Sequence, residues 1–306
     1  MYKNILTTVV GSLNMDMILS MQKVPETGEN VLGTEYGYAN GGKGANQAVA
    51  LAKLGAQVKM IGKVAKDSNG DKLLQNLKDN NIDISDIETN GSQTGLAAIL
   101  LDGEGRNRII IYEGANGEIV PEKAAKKIPA DTQLLLLQFE INEDAVIAAA
   151  NYGVKKGITT VVDCGPPKNI CLEKMQGITI LSPNESETAA LTGIYPTDEE
   201  SILKASEILK QRSKAEFVVL KLGERGCSLW DGNELRLFPP YKSNVVDTTA
   251  AGDCFTAALA LEYVRSGDII AACDTGNKAG SVAVSRMGVQ GSMPTVKEIL
   301  QIKKHI

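Results

Sequence analysis

Short apolar runs alternate along this chain with segments whose apolar residues recur at the helical period. Such runs predict buried strands, and such periodic segments predict helices. The predicted strands cover residues 5–10, 58–62, 134–139, 158–163, 179–185 (running into a turn) and 216–223. The predicted helices cover residues 44–55, 70–81, 142–157, 200–212, 253–264 and 268–286. This alternation favours an α/β fold with a doubly wound, mainly parallel sheet flanked by helices on both faces.

Two stretches interrupt the alternation with extended patterns. Residues 17–40 contain one proline and three glycines without helical periodicity, and residues 94–112 form two extended runs joined by an Asp-Gly pair. An Asp-Gly pair between such runs is typical of a hairpin turn. We therefore predict a small inserted β-sheet from about 15–42 and 94–114. It either covers a cleft as a lid or forms an edge hairpin on the main sheet.

The composition limits the range of partners. The 306 residues are 43 % apolar and 23 % charged, with a net charge of −5. This length suits one large α/β domain, which we place at 1–306. A negative chain has no general attraction for nucleic acid or anionic lipid, so we expect neither partner. The densest apolar run, 134–137, ends at Gln138 and is too short to span a membrane.

Cysteine and histidine usage narrows the chemistry. Five cysteines without a C-x-x-C pair indicate a reducing cytoplasm rather than a disulfide framework or a structural zinc site. The only histidine is His305, which argues against a Ser-His-Asp device and a His-ligated metal. Acid–base work therefore falls to carboxylates, lysines or tyrosines. Neither the P-loop nor the G-x-G-x-x-G fingerprint is present, which disfavours a nicotinamide oxidoreductase.

The stretch NGGKGANQA (40–48) places glycines around a lysine at a predicted helix start. Glycines let the backbone approach a ligand closely, and the first turn of a helix leaves N–H groups free. Gly42, Lys43 and Asn46 are therefore candidates for binding a polyhydroxylated or anionic ligand. The competing interpretation is a glycine-rich turn with an exposed asparagine.

Polar side chains also follow two predicted strands. Asn14 and Asp16, in GSLNMD, come after the first strand, and Glu140 ends the strand LLLLQFE. Ligands of parallel α/β sheets bind beyond the carboxyl ends of the strands. In an extended segment Asn14 and Asp16 would point to one side, where they could bind adjacent sugar hydroxyls. A plain turn, or a helix cap in the case of Glu140, explains them equally well.

Two further turns are candidates for the nucleotide side. In SPNESE (182–187), Asn184 and Glu187 could order waters around Mg²⁺, although a capping box from Ser182 to Glu185 is the alternative. The stretch KLGERG (221–226) could give phosphate or a base an open approach, or it could be a hairpin turn.

The stretch VVDTTAAGDCF (245–255) begins a helix with small residues and a carboxylate. Ala250, Ala251 and Gly252 would present backbone N–H groups where the helix dipole favours an anion. Asp253 would then be placed to take a proton from a hydroxyl that attacks a γ-phosphate. A capped helix with an N-terminal acid is the competing interpretation.

Together these segments resemble the ribokinase-like, phosphofructokinase-B-type family of carbohydrate kinases over the whole chain. GGKGANQA and DTTAAGDCF look like the N-terminal and C-terminal signatures of that family. GSLNMD (11–16), PNESE (183–187) and SRMGVQGSMP (285–294) extend the match.

The resemblance implies a role for each matching residue. Asp253 is implied to deprotonate the terminal hydroxyl of the sugar, and Ala250, Ala251 and Gly252 to form an anion hole with it. The residues implied to hold ribose hydroxyls are Asn14, Asp16, Gly42, Lys43, Asn46, Glu140 and Asp253. Those implied to lie along ATP are Asn184, Lys221, Gly223, Glu224, Gly226, Gly252 and Asn277. Those implied to bind a monovalent cation, K⁺, are Asp247, Thr249, Ala283, Arg286, Gly288 and Ser292, while Glu187 is implied to place Mg²⁺ indirectly.

The family also implies a β-lid that closes over the sugar and a homodimer that pairs through the lid. Three places depart from the family pattern. Lys221 stands where a small hydroxyl residue is usual, DCGPPKN (163–169) differs from the usual alanine-and-proline run, and Asn277 stands where some relatives carry histidine.

The expected function is ATP-dependent phosphorylation of D-ribose at O5, giving ribose 5-phosphate. The nearest alternatives are the same chemistry on deoxyribose, fructose, another sugar or a nucleoside. A non-catalytic sugar-binding regulatory protein is the alternative of another class. Asp253 argues against it, because a pure binder needs no base beside a phosphate site.

Overall fold

The computed structural model of the protein describes residues 2–302, so His305 lies outside the described residues. In chain order the strands are Leu6–Val10 (β1), Asn14–Met21 (β2), Gly33–Gly41 (β3), Gln57–Ala65 (β4), Asp83–Gly91 (β5), Gly95–Leu101 (β6), Asn107–Tyr112 (β7), Leu134–Gln138 (β8), Thr159–Asp163 (β9), Ile180–Ser182 (β10), Phe217–Lys221 (β11), Cys227–Trp230 (β12) and Leu235–Phe238 (β13). The α-helices are Lys43–Lys53 (α1), Ser68–Asp79 (α2), Pro121–Lys127 (α3), Glu143–Lys156 (α4), Glu185–Thr192 (α5), Glu199–Ser213 (α6), Ala251–Ser266 (α7), Ile269–Ala283 (α8) and Val296–Gln301 (α9).

The main sheet has nine strands in the order β13-β12-β11-β10-β9-β8-β1-β4-β5. The strands from β11 to β5 pair in parallel, whereas β12 and β13 form an antiparallel edge. The predicted fold class is confirmed. Because parallel strands share their direction, the ends of β1, β8, β9, β10 and β11 meet at one edge of the sheet.

Alternate side chains of the central strands supply two separate cores. Leu134 and Leu136 pack with residues of α1, α7 and α8, whereas Leu135 and Leu137 pack with residues of α3, α4 and α6 on the other face. All four leucines have no exposed surface. A strand buried on both faces reads as a continuous apolar run, which is why LLLL predicted it.

A second sheet of four strands is separate from the first, in the order β3-β2-β6-β7. Strands β2 and β6 are parallel, and the outer pairs are antiparallel. The predicted hairpin is present, closed by the Asp102 N–H donating to the carbonyl of Arg106 at 3.0 Å. The inserted sheet is therefore confirmed, and an edge hairpin on the main sheet is wrong.

The pairing register sorts this second sheet into two faces. Asn14 and Asp16 lie on one face with Ile109 and Ile111 of β7. Tyr36, Tyr38 and Ile110 lie on the other face, with Ile110 63 % exposed. Strand β7 is exposed at every position, so both faces of this edge strand meet solvent.

The apolar pattern left several elements unpredicted, among them β5 and α3. Strand β5, DISDIETNG, is an edge strand with only Ile87 buried, so charged residues dominate its sequence. Helix α3, PEKAAKK, is seven residues long and buries only Ala124. Within residues 2–302, no helix is long and apolar enough to cross a membrane.

Candidate active site

The site is organised around the carboxylate of Asp253, which lies in the first turn of α7. Asp253 is only 4 % exposed. Asn46 Nδ2 donates to its Oδ2 at 3.0 Å, and Gln47 Nε2 donates to its Oδ1 at 3.0 Å. The Lys43 ammonium lies 3.5 Å from Oδ1. Residues three and four apart share a helix face, so α1 aims all three side chains at this acid. Gln47 was not among the predicted site residues.

The glycines at the start of α1 are explained first by packing. A Cβ on Gly44 would lie 2.4 Å from the backbone nitrogen of Ser12, and one on Gly42 would lie 2.6 Å from that of Asn14. Gly42 also has a φ of +87°, which side chains other than glycine rarely adopt. This close approach brings the first turn of α1 against the segment that follows β1.

Glu140 joins the same two segments. Its Oε2 accepts hydrogen bonds from Ser12 Oγ at 2.5 Å and from the Lys43 backbone N–H at 2.8 Å. Burial raises the pKa of this carboxyl above its usual range, against the lowering effect of the Ser12 and Lys43 bonds. Glu140 does not cap α4, because Asn142 is the cap of that helix.

Asn14 and Asp16 lie at the start of β2, on the side that faces the site. Asn14 Oδ1 accepts a bond at 2.8 Å from Nδ2 of Asn116, a buried residue that the sequence did not point to. Asp16 is 7 % exposed, and no donor within residues 2–302 makes a hydrogen bond to its carboxylate. Burial, reinforced by repulsion from Glu140 and Asp253, raises the pKa of Asp16 to about 7. An unsatisfied acceptor beside two other acids suits a ligand that supplies hydroxyl donors.

The start of α7 lacks a cap. Ala250 has a left-handed φ of 60°, and no side chain caps the helix. The N–H of Cys254 donates to the carbonyl of Ala250. The N–H groups of Gly252 and Asp253 make no hydrogen bond within residues 2–302. The interpretation of this segment as an ordinary capped helix is therefore wrong. Two free N–H groups, the helix dipole and small side chains together suit an anion.

Lys221 ends β11 and is buried beside Asp163, which ends β9. The Lys221 ammonium lies 2.6 Å from Asp163 Oδ2, and the Lys43 ammonium lies 3.6 Å from Asp163 Oδ1. Asp163 was not a predicted site residue. Its position in the unusual run DCGPPKN was the signal that could have identified it.

Asn184 and Glu187 bond to each other at the start of α5. Asn184 is the cap, its Oδ1 accepts from the Glu187 N–H at 2.9 Å, and Glu187 Oε2 accepts from the Asn184 N–H at 2.7 Å. The capping box therefore runs from Asn184 to Glu187, and the alternative of a box from Ser182 to Glu185 is wrong. Glu187 faces Lys221 at 4.0 Å. Mg²⁺ in kinases usually keeps several of its waters and is held by one or two carboxylates plus the phosphates of the substrate. The Glu187 carboxylate fits an indirect role in which it would hold one of those waters.

The stretch KLGERG forms the turn between antiparallel strands β11 and β12, so the hairpin interpretation is confirmed. Gly223 and Glu224 lie in its 3₁₀ turn. A Cβ on Gly226 would lie 2.1 Å from the carbonyl oxygen of Phe238. Asn277 of α8 donates to that same carbonyl at 3.2 Å. Gly226 and Asn277 thus meet at the segment that leaves β13.

The predicted cation positions lie in two segments, one before α7 and one that runs from the end of α8 through the 3₁₀ turn Gln290–Ser292. Asp247 Oδ1 accepts from the Thr249 N–H at 2.9 Å, and its Oδ2 accepts from the Gly288 N–H at 3.0 Å. The Arg286 N–H bonds to the carbonyl of Ala283. The guanidinium of Arg286 pairs with Glu298, and Ser292 Oγ bonds to the carbonyl of Val289. A cation such as K⁺ at these positions would use the Asp247 carboxylate and backbone carbonyls as hard oxygen ligands.

This fold, with a buried carboxylate beside an open helix start at the ends of parallel strands, defines a small-molecule phosphotransferase of the carbohydrate-kinase class. The sequence pattern of the pfkB family of carbohydrate kinases matches residues 5–296, and the chain belongs to that family.

Individual relatives match along nearly their full length. The ribokinase of Bacillus subtilis (strain 168) is 37 % identical over 297 residues, covering 96 % of this chain and 98 % of that protein. The ribokinase of Lactococcus lactis subsp. lactis is 36 % identical over 296 residues, covering 95 % of each. The structure of Arabidopsis thaliana ribokinase complexed with ribose and ATP is 31 % identical, covers 100 % of both chains and superposes with a TM-score of 0.89.

Proposed function

We propose that this protein transfers the γ-phosphate of ATP to the O5 hydroxyl of D-ribose. The observation that carries the proposal is that the buried Asp253 carboxylate and the free N–H groups of Gly252 and Asp253 lie in the same helical turn. The carboxylate can take a proton while the N–H groups stabilise negative charge on the phosphoryl group. Full-length similarity to ribokinases supports ribose as the acceptor and ATP as the donor.

The sugar hydroxyls would hydrogen-bond to six residues: Asn14, Asp16, Gly42, Lys43, Asn46 and Glu140. Asp16 supports this assignment most directly, because its carboxylate is buried without a donor in the described part of the chain. Ribose hydroxyls would donate to it. Lys43 and Asn46 also contact Asp253, which would bring the sugar close to the base.

In the transfer step, Asp253 takes the proton of the O5 hydroxyl as the oxygen attacks the γ-phosphorus. The free N–H groups of Gly252 and Asp253 at the start of α7 stabilise the charge on the equatorial phosphoryl oxygens, whereas the Ala251 N–H donates to the carbonyl of Thr248. General-base catalysis contributes about 10²–10⁴ in rate, so most of the remaining acceleration comes from positioning.

ATP would lie along Asn184, Lys221, Gly223, Glu224, Gly226, Gly252 and Asn277. Mg²⁺ would arrive with the nucleotide and be positioned through Glu187, neutralising phosphate charge. K⁺ would bind at Asp247, Thr249, Ala283, Arg286, Gly288 and Ser292. Because Asp247 and Thr249 immediately precede the anion-binding residues, a cation there would fix the backbone that leads into α7.

The small sheet would act as a lid over the sugar, since the face that bears Asn14 and Asp16 is part of the site. Its exposed Ile109, Ile110 and Tyr36 would pair with a second copy as a homodimer. We place the protein in the cytoplasm, because all five cysteines are free. We also assign residues 1–306 to one domain.

A coupled ADP-release assay across ribose, deoxyribose, fructose, adenosine and inosine tests the substrate. We expect the highest kcat/KM with ribose. Activity confined to a nucleoside would contradict the substrate assignment while leaving the kinase chemistry in place. Ribose binding without any ADP release would favour the regulatory alternative.

A further inference from the structure

Asp163 connects two lysines of the site at the carboxyl end of β9. Its Oδ2 accepts from the Lys221 ammonium at 2.6 Å and from the Thr256 hydroxyl at 2.9 Å. Its Oδ1 accepts from the Gly165 N–H at 3.0 Å and faces the Lys43 ammonium at 3.6 Å. The carboxylate has no exposed surface.

Lys221 and Asp163 depend on each other for their charges. Burial opposes the charged form of Lys221, but Asp163 and Glu187 outweigh it and hold the pKa of the ammonium above its ordinary value. Burial likewise opposes ionised Asp163, but Lys221 and Lys43 hold its pKa well below the usual range. Removing one partner of a buried pair leaves an uncompensated charge, whereas removing both can be nearly neutral for stability. Two of the three departures from the family pattern, Lys221 and the run DCGPPKN that Asp163 begins, are thus joined by one ion pair.

The ammonium of this pair lies beside the start of α7. A Cβ placed on Gly252 would be 4.0 Å from Lys221 Nζ and 3.8 Å from its Cδ. Thr256, one turn along α7, lies 2.9 Å from the Gly252 carbonyl and joins the helix to Asp163. The side chain of Lys221 is 10 % exposed, so it is not wholly enclosed by protein. Its ammonium therefore lies next to Gly252, one of the two residues whose N–H groups are free.

We propose that Lys221 is a catalytic residue that contacts the transferring phosphoryl group, and that Asp163 is the positioning residue that fixes its ammonium. The proposal rests on the proposed kinase function and assigns a lysine to the phosphoryl-transfer step. A desolvated, preorganised charge stabilises a phosphoryl transition state more than a solvated one, because it costs no reorganisation. A hydroxyl at position 221 would supply a dipole there, whereas Lys221 supplies a full positive charge.

The step balances without any proton from Lys221. The bond from O5 to the γ-phosphorus forms, and the bond from the γ-phosphorus to the β–γ bridging oxygen breaks. Asp253 takes the hydroxyl proton, and ADP leaves with the electron pair of the broken bond. Lys221 remains an ammonium throughout and shifts part of its interaction from Asp163 to the phosphoryl oxygens.

The test compares the single variant Asp163→Asn with the double variant Asp163→Asn/Lys221→Met. The double variant removes both charges, and the amide oxygen of the introduced asparagine would still accept from Thr256. The matched control is Glu88→Gln/Lys127→Met, which neutralises another ion pair, at 3.2 Å, between the edge strand β5 and helix α3. For each protein we would measure thermal unfolding, steady-state kinetics with ribose and the rise in Tm caused by inorganic phosphate.

We expect the double variant to fold and to keep its ribose KM within about threefold, while kcat falls by about 10²-fold, the scale for losing one charge-stabilising donor. Phosphate should raise the Tm of Asp163→Asn more than that of the wild type, because Lys221 has lost its nearest counter-ion and keeps only Glu187 at 4.0 Å. Phosphate should raise the Tm of the double variant less than that of the wild type, because the double variant has no ammonium at position 221. The control should match the wild type.

A double variant with kcat within threefold of the wild type would overturn the proposal and make the pair purely structural. If the double variant does not fold, the single variant decides, since an unchanged or smaller phosphate effect in Asp163→Asn also overturns it. A wild type that is inactive on ribose would refute the proposed function alone, because the phosphate measurements do not depend on the sugar.

Discussion

Replacing Asp16 by asparagine should stabilise the protein while damaging sugar binding. The pKa of Asp16 is raised from 3.8 to about 7, first by burial and then by Glu140 and Asp253. The folded state therefore holds the Asp16 proton more tightly than the unfolded state does. Stability falls as the pH rises from about 4 through 7, because the unfolded chain loses this proton first.

The magnitude follows from the two pKa values. At pH 8 the ionised carboxylate costs the folded protein about 4 kcal/mol, and at pH 5 the penalty is about 2 kcal/mol. Asp16→Asn removes this penalty, and both figures are upper bounds because the asparagine amide is itself buried. We expect the variant to exceed the wild type in stability by more at pH 8 than at pH 5.

Denaturant unfolding of both proteins at the two pH values measures this difference. Asp131→Asn, at an exposed aspartate, is the control and should change stability by less than about 0.5 kcal/mol at either pH. The same Asp16→Asn protein should lose at least tenfold in kcat/KM for ribose. Equal or lower stability than the wild type at pH 8 would refute the reasoning. Unchanged ribose kinetics would remove Asp16 from the sugar site.

Three further predictions concern the base, the cation and the lid. Asp253→Asn should lower kcat by about 10²–10⁴ with ribose KM nearly unchanged, and near-wild-type turnover in single-turnover assays would rule out Asp253 as the base. K⁺ should raise kcat several-fold over Na⁺ or a buffer without alkali cations, because Asp247 and its neighbouring carbonyls suit a monovalent ion, and equal rates in all three would count against that site. Ile109→Glu/Ile110→Glu places a charge on each face of β7 and should yield a monomer by light scattering, whereas Leu237→Glu on β13 should remain a dimer. A wild type that is already monomeric would contradict pairing through the lid.

The main sheet was predictable because it is buried on both faces. The run from Leu134 to Leu137 reads as a strand in any context, and its parallel neighbours share that pattern. Strand β5 and helix α3 were missed because each buries a single side chain, so the periodic signal is weak. The inserted sheet was visible from its hairpin, but its separation from the main sheet depends on tertiary pairing.

The site was predictable where a residue lies in a local motif and was missed where it reaches the site from a distance. Gln47 could have been predicted, since it follows Lys43 by four residues on the same helix face. Asn116 and Gln290 gave no local signal, because they bond to Asn14 and Asn46 across 102 and 244 positions of sequence. Spacing within a motif cannot report such contacts.

The phosphorus-31 NMR spectrum of the product formed from ATP and D-ribose tests the central claim most directly. We expect ADP and one phosphomonoester whose phosphorus couples to the two protons on carbon 5. We also expect that 5-deoxy-D-ribose, which lacks the acceptor oxygen, gives no phosphorylated sugar. A phosphoester at another carbon, or no phosphorylated sugar from ribose while a nucleoside is phosphorylated, would contradict the account.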